Sequence, residues 1–90
     1  MARMGMDVEA VEHAGNNLKS KAHQIETLTA DIDKIVQGLT SIWDGHDAKQ
    51  FVQEWWPGHK KNLRAIQEAI SGLGQSALNN ASEQRTVSNR

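Results

Sequence analysis

From Val8 to Trp43 the apolar residues return on a seven-residue beat, and a second stretch of the same kind begins near Asp47. Only Ile42-Trp43-Asp44-Gly45-His46-Asp47 separates them. An apolar stripe of helical period is the strongest secondary-structure constraint a sequence carries. In the first stretch one column is Val11, Leu18, Ile25, Ile32 and Leu39. Three residues later run Ala14, Lys21, Leu28, Ile35 and Ile42, and Val8, Gly15, Ala22, Thr29, Val36 and Trp43 form a flanking column. In the second stretch Val52, His59, Ile66 and Leu73 are paired with Trp56, Leu63, Ile70 and Ala77, with Phe51 and Trp55 beside the seam. So short a connection forces antiparallel neighbours. The expected fold is all-α, a single helical-hairpin domain over 1–90: helix 1 at about 8–41, a corner at 42–46, helix 2 at about 47–82, and a flexible polar tail over 83–90.

Local chemistry refines this outline. Asp7 is a natural N-cap, with Glu9 and Glu12 in the first turns, where the helix dipole favours acids. Asp44 and Asp47 are N-cap candidates for helix 2, and Gly45 supplies backbone freedom at the corner. Pro57 inside a helix costs about 3 kcal/mol and Gly58 adds about 1. Either helix 2 kinks or loses one regular turn near residue 57, or a new helix starts with Pro57 as its first residue. The columns pass this point without a change of phase, which favours a continuous direction. Near the start of helix 1 the stripe is thin, with small Ala14, Gly15 and Ala22 and with Lys21 on its edge. Fraying there is expected in preference to close helix approach.

The 90 residues carry a net charge of -1 and no cysteine. Disulfides, thiolate zinc sites, iron–sulfur clusters and a cysteine nucleophile are therefore excluded. Residues 1–45 are net acidic and residues 46–90 net basic, which favours pairing of the two helices. A helix of about 34 residues is about 50 Å long, whereas a compact chain of this size has a radius of gyration of about 12 Å. The molecule must be a rod. Its stripes are wider than one seam, so part of the apolar surface, with at least one of Trp55 and Trp56, faces water unless a partner covers it. Two hairpins are expected to associate into an antiparallel four-helix bundle.

Chemistry at a site is poorly represented. His13, His23, His46 and His59 show no i, i+4 pairing for a metal, and His59, in a core column, is expected to be partly buried. Asp44, His46 and Asp47 read as capping and exposure; Asp31 and Asp33 as solvated surface. No nucleophile elbow, phosphate loop or dinucleotide fingerprint is present. The run His59-Lys60-Lys61-Asn62-Leu63-Arg64 is a solvated basic face, with a nucleic-acid-binding hairpin using Lys60, Lys61 and Arg64 as a minor alternative. Trp43 reads both as a plug for the hairpin core at the bend and as a surface element that another protein recognises.

Trp43-Asp44-Gly45, centred between two long amphipathic helices, resembles the WXG family of small early-secreted-antigen-like proteins of type VII (ESX-like) secretion systems in Gram-positive and actinomycete bacteria. Asp47-Ala48, Phe51 and Trp55 after the motif are similar to the actinobacterial branch, as are Leu63, Leu73, Asn80-Ala81 and Glu83-Gln84-Arg85. The resemblance covers roughly residues 8–88. It implies a dimerising hairpin exported folded without a cleaved signal. It also implies an export signal made from the W-x-G corner of one subunit and a Y-x-x-x-D/E tail of its partner. Trp43 and Gly45 carry the first half; the chain has no tyrosine, so nothing here carries the second.

The resulting expectation is a non-enzymatic type VII secretion substrate or co-secreted targeting partner, with no catalytic residue, metal, cofactor, small-molecule substrate or nucleic acid. The alternative is a cytoplasmic helical adaptor or chaperone for the helical leader of a larger toxin. Trp43 and Gly45 form the corner and export motif. Leu18, Ile25, Ile32, Val36, Leu39, Phe51, Val52, Trp55, Trp56, Leu63, Ile66 and Ile70 form the hairpin and dimer interface. Partners are a second copy or a paralogous hairpin, and the secretion machinery. The start Met1-Ala2-Arg3-Met4-Gly5-Met6-Asp7 lacks the apolar core of a signal peptide, so export without cleavage is expected.

Overall fold

The computed structural model describes residues 6–88, so the first five residues and the last two of the expected tail lie outside the described residues. Helix α1 runs Val8–Gly38 and ends in a 3₁₀ turn, Leu39–Ser41. After the bend come α2, His46–Gln50, a π-helical turn, Phe51–Trp55, and α3, Trp56–Ser88. α2, the π turn and α3 make one continuous second arm that lies antiparallel to α1. The radius of gyration is 20.0 Å and the extents are 67 × 17 × 16 Å, so the molecule is the rod that helix length demanded.

Asp7 caps α1: its Oδ1 accepts the Ala10 N–H at 3.1 Å. The second arm starts differently from the sequence expectation. Gly45 occupies the N-cap position with no side-chain cap bond, so neither Asp44 nor Asp47 fills that role. Gly45 has φ 117 and ψ 178, a conformation that only glycine adopts without strain, and it is the one positive φ among the described residues.

Proline chemistry explains the π turn. Pro57 has no N–H to continue the α ladder, and its ring crowds the preceding turn. The backbone widens just ahead of it, and the Trp56 N–H reaches back five residues to the Phe51 carbonyl. Direction is kept, but phase is not. Ala48, Val52 and Trp56, at successive spacings of four, all remain buried, and the column His59, Ile66, Leu73 is turned out to solvent. His59 is thus exposed, not partly buried.

The core has two characters. Near the bend Val36, Val52 and Trp56 are buried together, with Ile32, Leu39, Phe51 and Leu63 packed around them. Toward the open end the seam is built from Gly15, Ala22, Gly74 and Ala81. A Cβ on Gly74 would stand 2.8 Å from the Gly15 carbonyl oxygen, and one on Gly15 would stand 2.9 Å from that of Gly74. The small residues of α1 therefore mark close backbone approach, which overturns the expectation of fraying. Thr29 is buried in the same seam, its hydroxyl donating to the Ile25 carbonyl at 2.8 Å. The helix continues through Ser88, beyond the expected end near residue 82, with Ala81 fully buried and Arg85 paired with Glu12 of α1.

Candidate functional site

The two edges that flank the seam differ in kind. On one edge α1 presents Glu12, Lys19, Glu26 and Asp33, a heptad column. Three of these reach the second arm. Glu12 pairs with Arg85, Lys19 Nζ donates to Gln75 Oε1 at 2.7 Å, and Asp33 Oδ2 lies 3.3 Å from Lys60 Nζ. Asp33 Oδ1 also accepts the Trp56 indole N–H at 2.8 Å and the Gln37 amide at 3.3 Å. Those bonds, the indole first, hold the Asp33 carboxyl below its ordinary value against a smaller upward push from burial. Asp33 is therefore an inter-arm acceptor and not solvated surface, and Lys60 of the basic run is engaged within the chain.

On the other edge lie Leu28 and Ile35 of α1, each one residue before the buried Thr29 and Val36. Ile66 and Leu73 of α3 are each one residue before Gln67 and Gly74, which turn toward the seam. In antiparallel arms the same rotational step off the seam leads to the same edge of the hairpin. These four side chains, with Ile42 and Trp55 toward the bend, are all exposed; Ile35 is 68% and Ile42 83% accessible. On α1, Lys21 and Ala14 continue the column toward the open end, so there the apolar strip is carried by α3, with Leu73 beside the Gly15–Gly74 contact.

At the bend, the Ile42 N–H closes the 3₁₀ turn on the Leu39 carbonyl at 3.1 Å, and the Trp43 N–H donates to the same carbonyl at 2.7 Å. Its indole is 42% exposed and meets Phe51 at 6.3 Å with a 53° tilt. Phe51 stacks on Trp55 at 4.6 Å, and Trp55 lies 3.9 Å from the His59 ring. A ladder of aromatic rings thus descends from the bend along the second arm. The plug of the hairpin core is Trp56, 5% exposed, and Trp43 is the outward-facing element of the two roles open to it. A groove outside the bend is lined by Trp43, Asp47, Gln50, Phe51, Glu54 and Trp55.

Of the residues the sequence assigned to hairpin and dimer, Val36, Val52 and Trp56 are buried between the arms. Leu18, Ile25, Ile32, Leu39, Phe51, Leu63 and Ile70 are half-buried along the seam, and Trp55 and Ile66 face solvent. Trp43 and Gly45 are brought to the tip. Leu28, Ile35, Ile42 and Leu73 stand in the apolar columns of the sequence but outside its assigned hairpin and dimer set, and all four are exposed; the Asp33–Trp56 bond has no counterpart in the sequence reading. The spacing Glu12, Lys19, Glu26, Asp33 was the available sign of a polar column facing a basic arm.

Among the described residues no group of three or more His, Asp or Glu is placed to hold a metal, and no helix is long and apolar enough to cross a membrane. A family model described as proteins of 100 residues with WXG matches residues 3–86. No curated protein and no solved structure matches the chain.

Proposed function

The chain belongs to the WXG100 family, small proteins associated with type VII secretion, and we propose that it acts as a secretion substrate or co-secreted targeting partner by pairing with a second hairpin. The supporting observation is the contrast between edges. The polar edge satisfies itself within one chain, whereas Leu28, Ile35, Ile66 and Leu73 form an apolar strip with no cover. Leu18, Ile25, Ile32, Val36, Leu39, Phe51, Val52, Trp56, Leu63 and Ile70 then hold the hairpin, and the strip, bordered by Trp55, holds the dimer.

Magnitude fits a dimer that needs the whole strip. Fully burying an exposed Leu or Ile contributes about 1.5–3 kcal/mol. At half exposure each side chain adds on the order of 1 kcal/mol, so two copies together supply on the order of 10 kcal/mol. Association costs about 4–15 kcal/mol. The two terms are of one size, and a single charge in the strip is enough to tip the balance.

Trp43 and Gly45 at the tip form the corner that the secretion machinery reads, and export proceeds without a cleaved signal. The chain has no tyrosine, so either a paralogous partner supplies the tail half of the export signal or this protein is not itself recognised for export in the usual way; the strip takes a second copy or a paralogous hairpin. Sedimentation of the purified protein is expected to show a dimer or, when the host protein is purified, a complex whose second chain mass spectrometry identifies. Fractionated cultures are expected to hold the protein in the medium. Its retention in cells with an intact secretion apparatus would instead favour the adaptor role.

A further inference from the structure

The groove outside the bend adjoins the apolar strip at Trp55, but Trp43, Asp47, Gln50 and Glu54, which also line it, have no part in the pairing of hairpins. Three aromatic side chains line it, Trp43, Phe51 and Trp55. Trp55 lies between Phe51 and His59, stacked on the first ring and tilted against the second. Trp43 meets Phe51 at a 53° tilt and is not stacked on it, and its side chain stays exposed. The polar side chains lining the groove are Asp47, Glu54 and Gln50; no lysine, arginine or histidine lines it. Neither Asp47 nor Glu54 makes an ion pair among the described residues. The negative faces of aromatic rings and two free carboxylates all attract positive charge.

We propose that this groove receives a cationic side chain, an arginine or lysine carried on a helix of another protein that docks at the bend. The charged head lies against the face of Trp43 with Asp47 and Glu54 beside it, and its aliphatic stem covers Phe51. Charge complementarity selects this occupant: an apolar side chain would strip water from two carboxylates without pairing them, and an acidic one would be repelled. The proposal deepens the reading of the bend as a recognition surface and does not depend on the apolar strip.

The test uses the full-length protein and two synthetic helical peptides, one with arginines four residues apart and one with citrulline at the same positions. Titration is followed by the indole N–H resonances of Trp43 and Trp55. Binding of the arginine peptide is expected to be salt-dependent and about tenfold tighter than that of the citrulline peptide. The double variant Asp47→Asn, Glu54→Gln, which keeps Trp43, is expected to lower that preference severalfold while sedimenting as the wild type does. Equal binding of the two peptides, binding of neither, or an undiminished preference in the variant would overturn the proposal. Since the sedimentation profile is read separately, that result leaves the pairing of hairpins to stand or fall by itself.

Discussion

The edge of Glu12, Lys19 and Asp33 and the edge of Leu28, Ile35, Ile66 and Leu73 flank the same seam, yet they solve opposite problems. The first ties one arm to the other with Arg85, Gln75, Lys60 and the Trp56 indole. The second ties to nothing in the chain, and four large apolar side chains are left in water. A polar edge of this kind contributes modestly to stability, because exposed pairs are worth only about 0–1 kcal/mol each. It does, however, fix which edge remains for a partner. Self-satisfied polar groups have no reason to leave water for an interface, and an uncovered strip of leucine and isoleucine has every reason to.

The largest effect is expected on the apolar edge. The double variant Ile35→Asp, Ile66→Asp is expected to sediment as a monomer, where the proposed pairing has the wild type sediment as a dimer, while far-UV circular dichroism retains the helices. Glu26→Lys on the polar edge should leave the dimer intact. If both behave alike, the edges do not differ in the way stated. Next in size is Trp56→Ala, which removes a buried indole together with its bond to Asp33 and is expected to cost about 3–5 kcal/mol in urea unfolding.

Asp33→Asn sharpens the polar edge through pH. The native carboxyl titrates below its ordinary value, so its stabilising share is present above about pH 4, the unfolded value, and is lost as pH falls through the native one. Wild type and variant are expected to differ at neutral pH and to converge in strong acid; a gap that stays constant down to acid would remove Asp33 from this role. The smallest effect belongs to Arg85→Gln, about 0–1 kcal/mol and reduced by salt, measured as a small fall in the thermal midpoint.

Much of the hairpin was legible because helical periodicity is local. The Asp7 cap, the bend around Trp43-Asp44-Gly45 and the break in regularity before Pro57 each depend on a few neighbouring residues. The faces of the helices were less legible. Two apolar columns in α1 and two in the second arm all looked fit for a seam, and periodicity assigns none of them to a particular neighbour. Val8, Gly15, Ala22, Thr29 and Val36, read as a flank, line the seam, and Leu28 and Ile35, read as a seam column, lie outside it. Small residues misled for a related reason. Gly15 alone looks like weak packing, and only Gly74 across from it shows that the backbones touch.

The sequence by itself settled that the chain is two long helices folded back at a glycine, and that such a rod exposes apolar surface. Both follow from periodicity, length and the φ that Gly45 alone can take. Tertiary structure decided which stripe each arm turns inward. That choice rests on a π turn that rotates the second arm and on a register in which glycine meets glycine and Asp33 meets Trp56. Rotation and register are relations between distant segments, set by the packing free energy of both arms together, and no stretch of residues contains them alone.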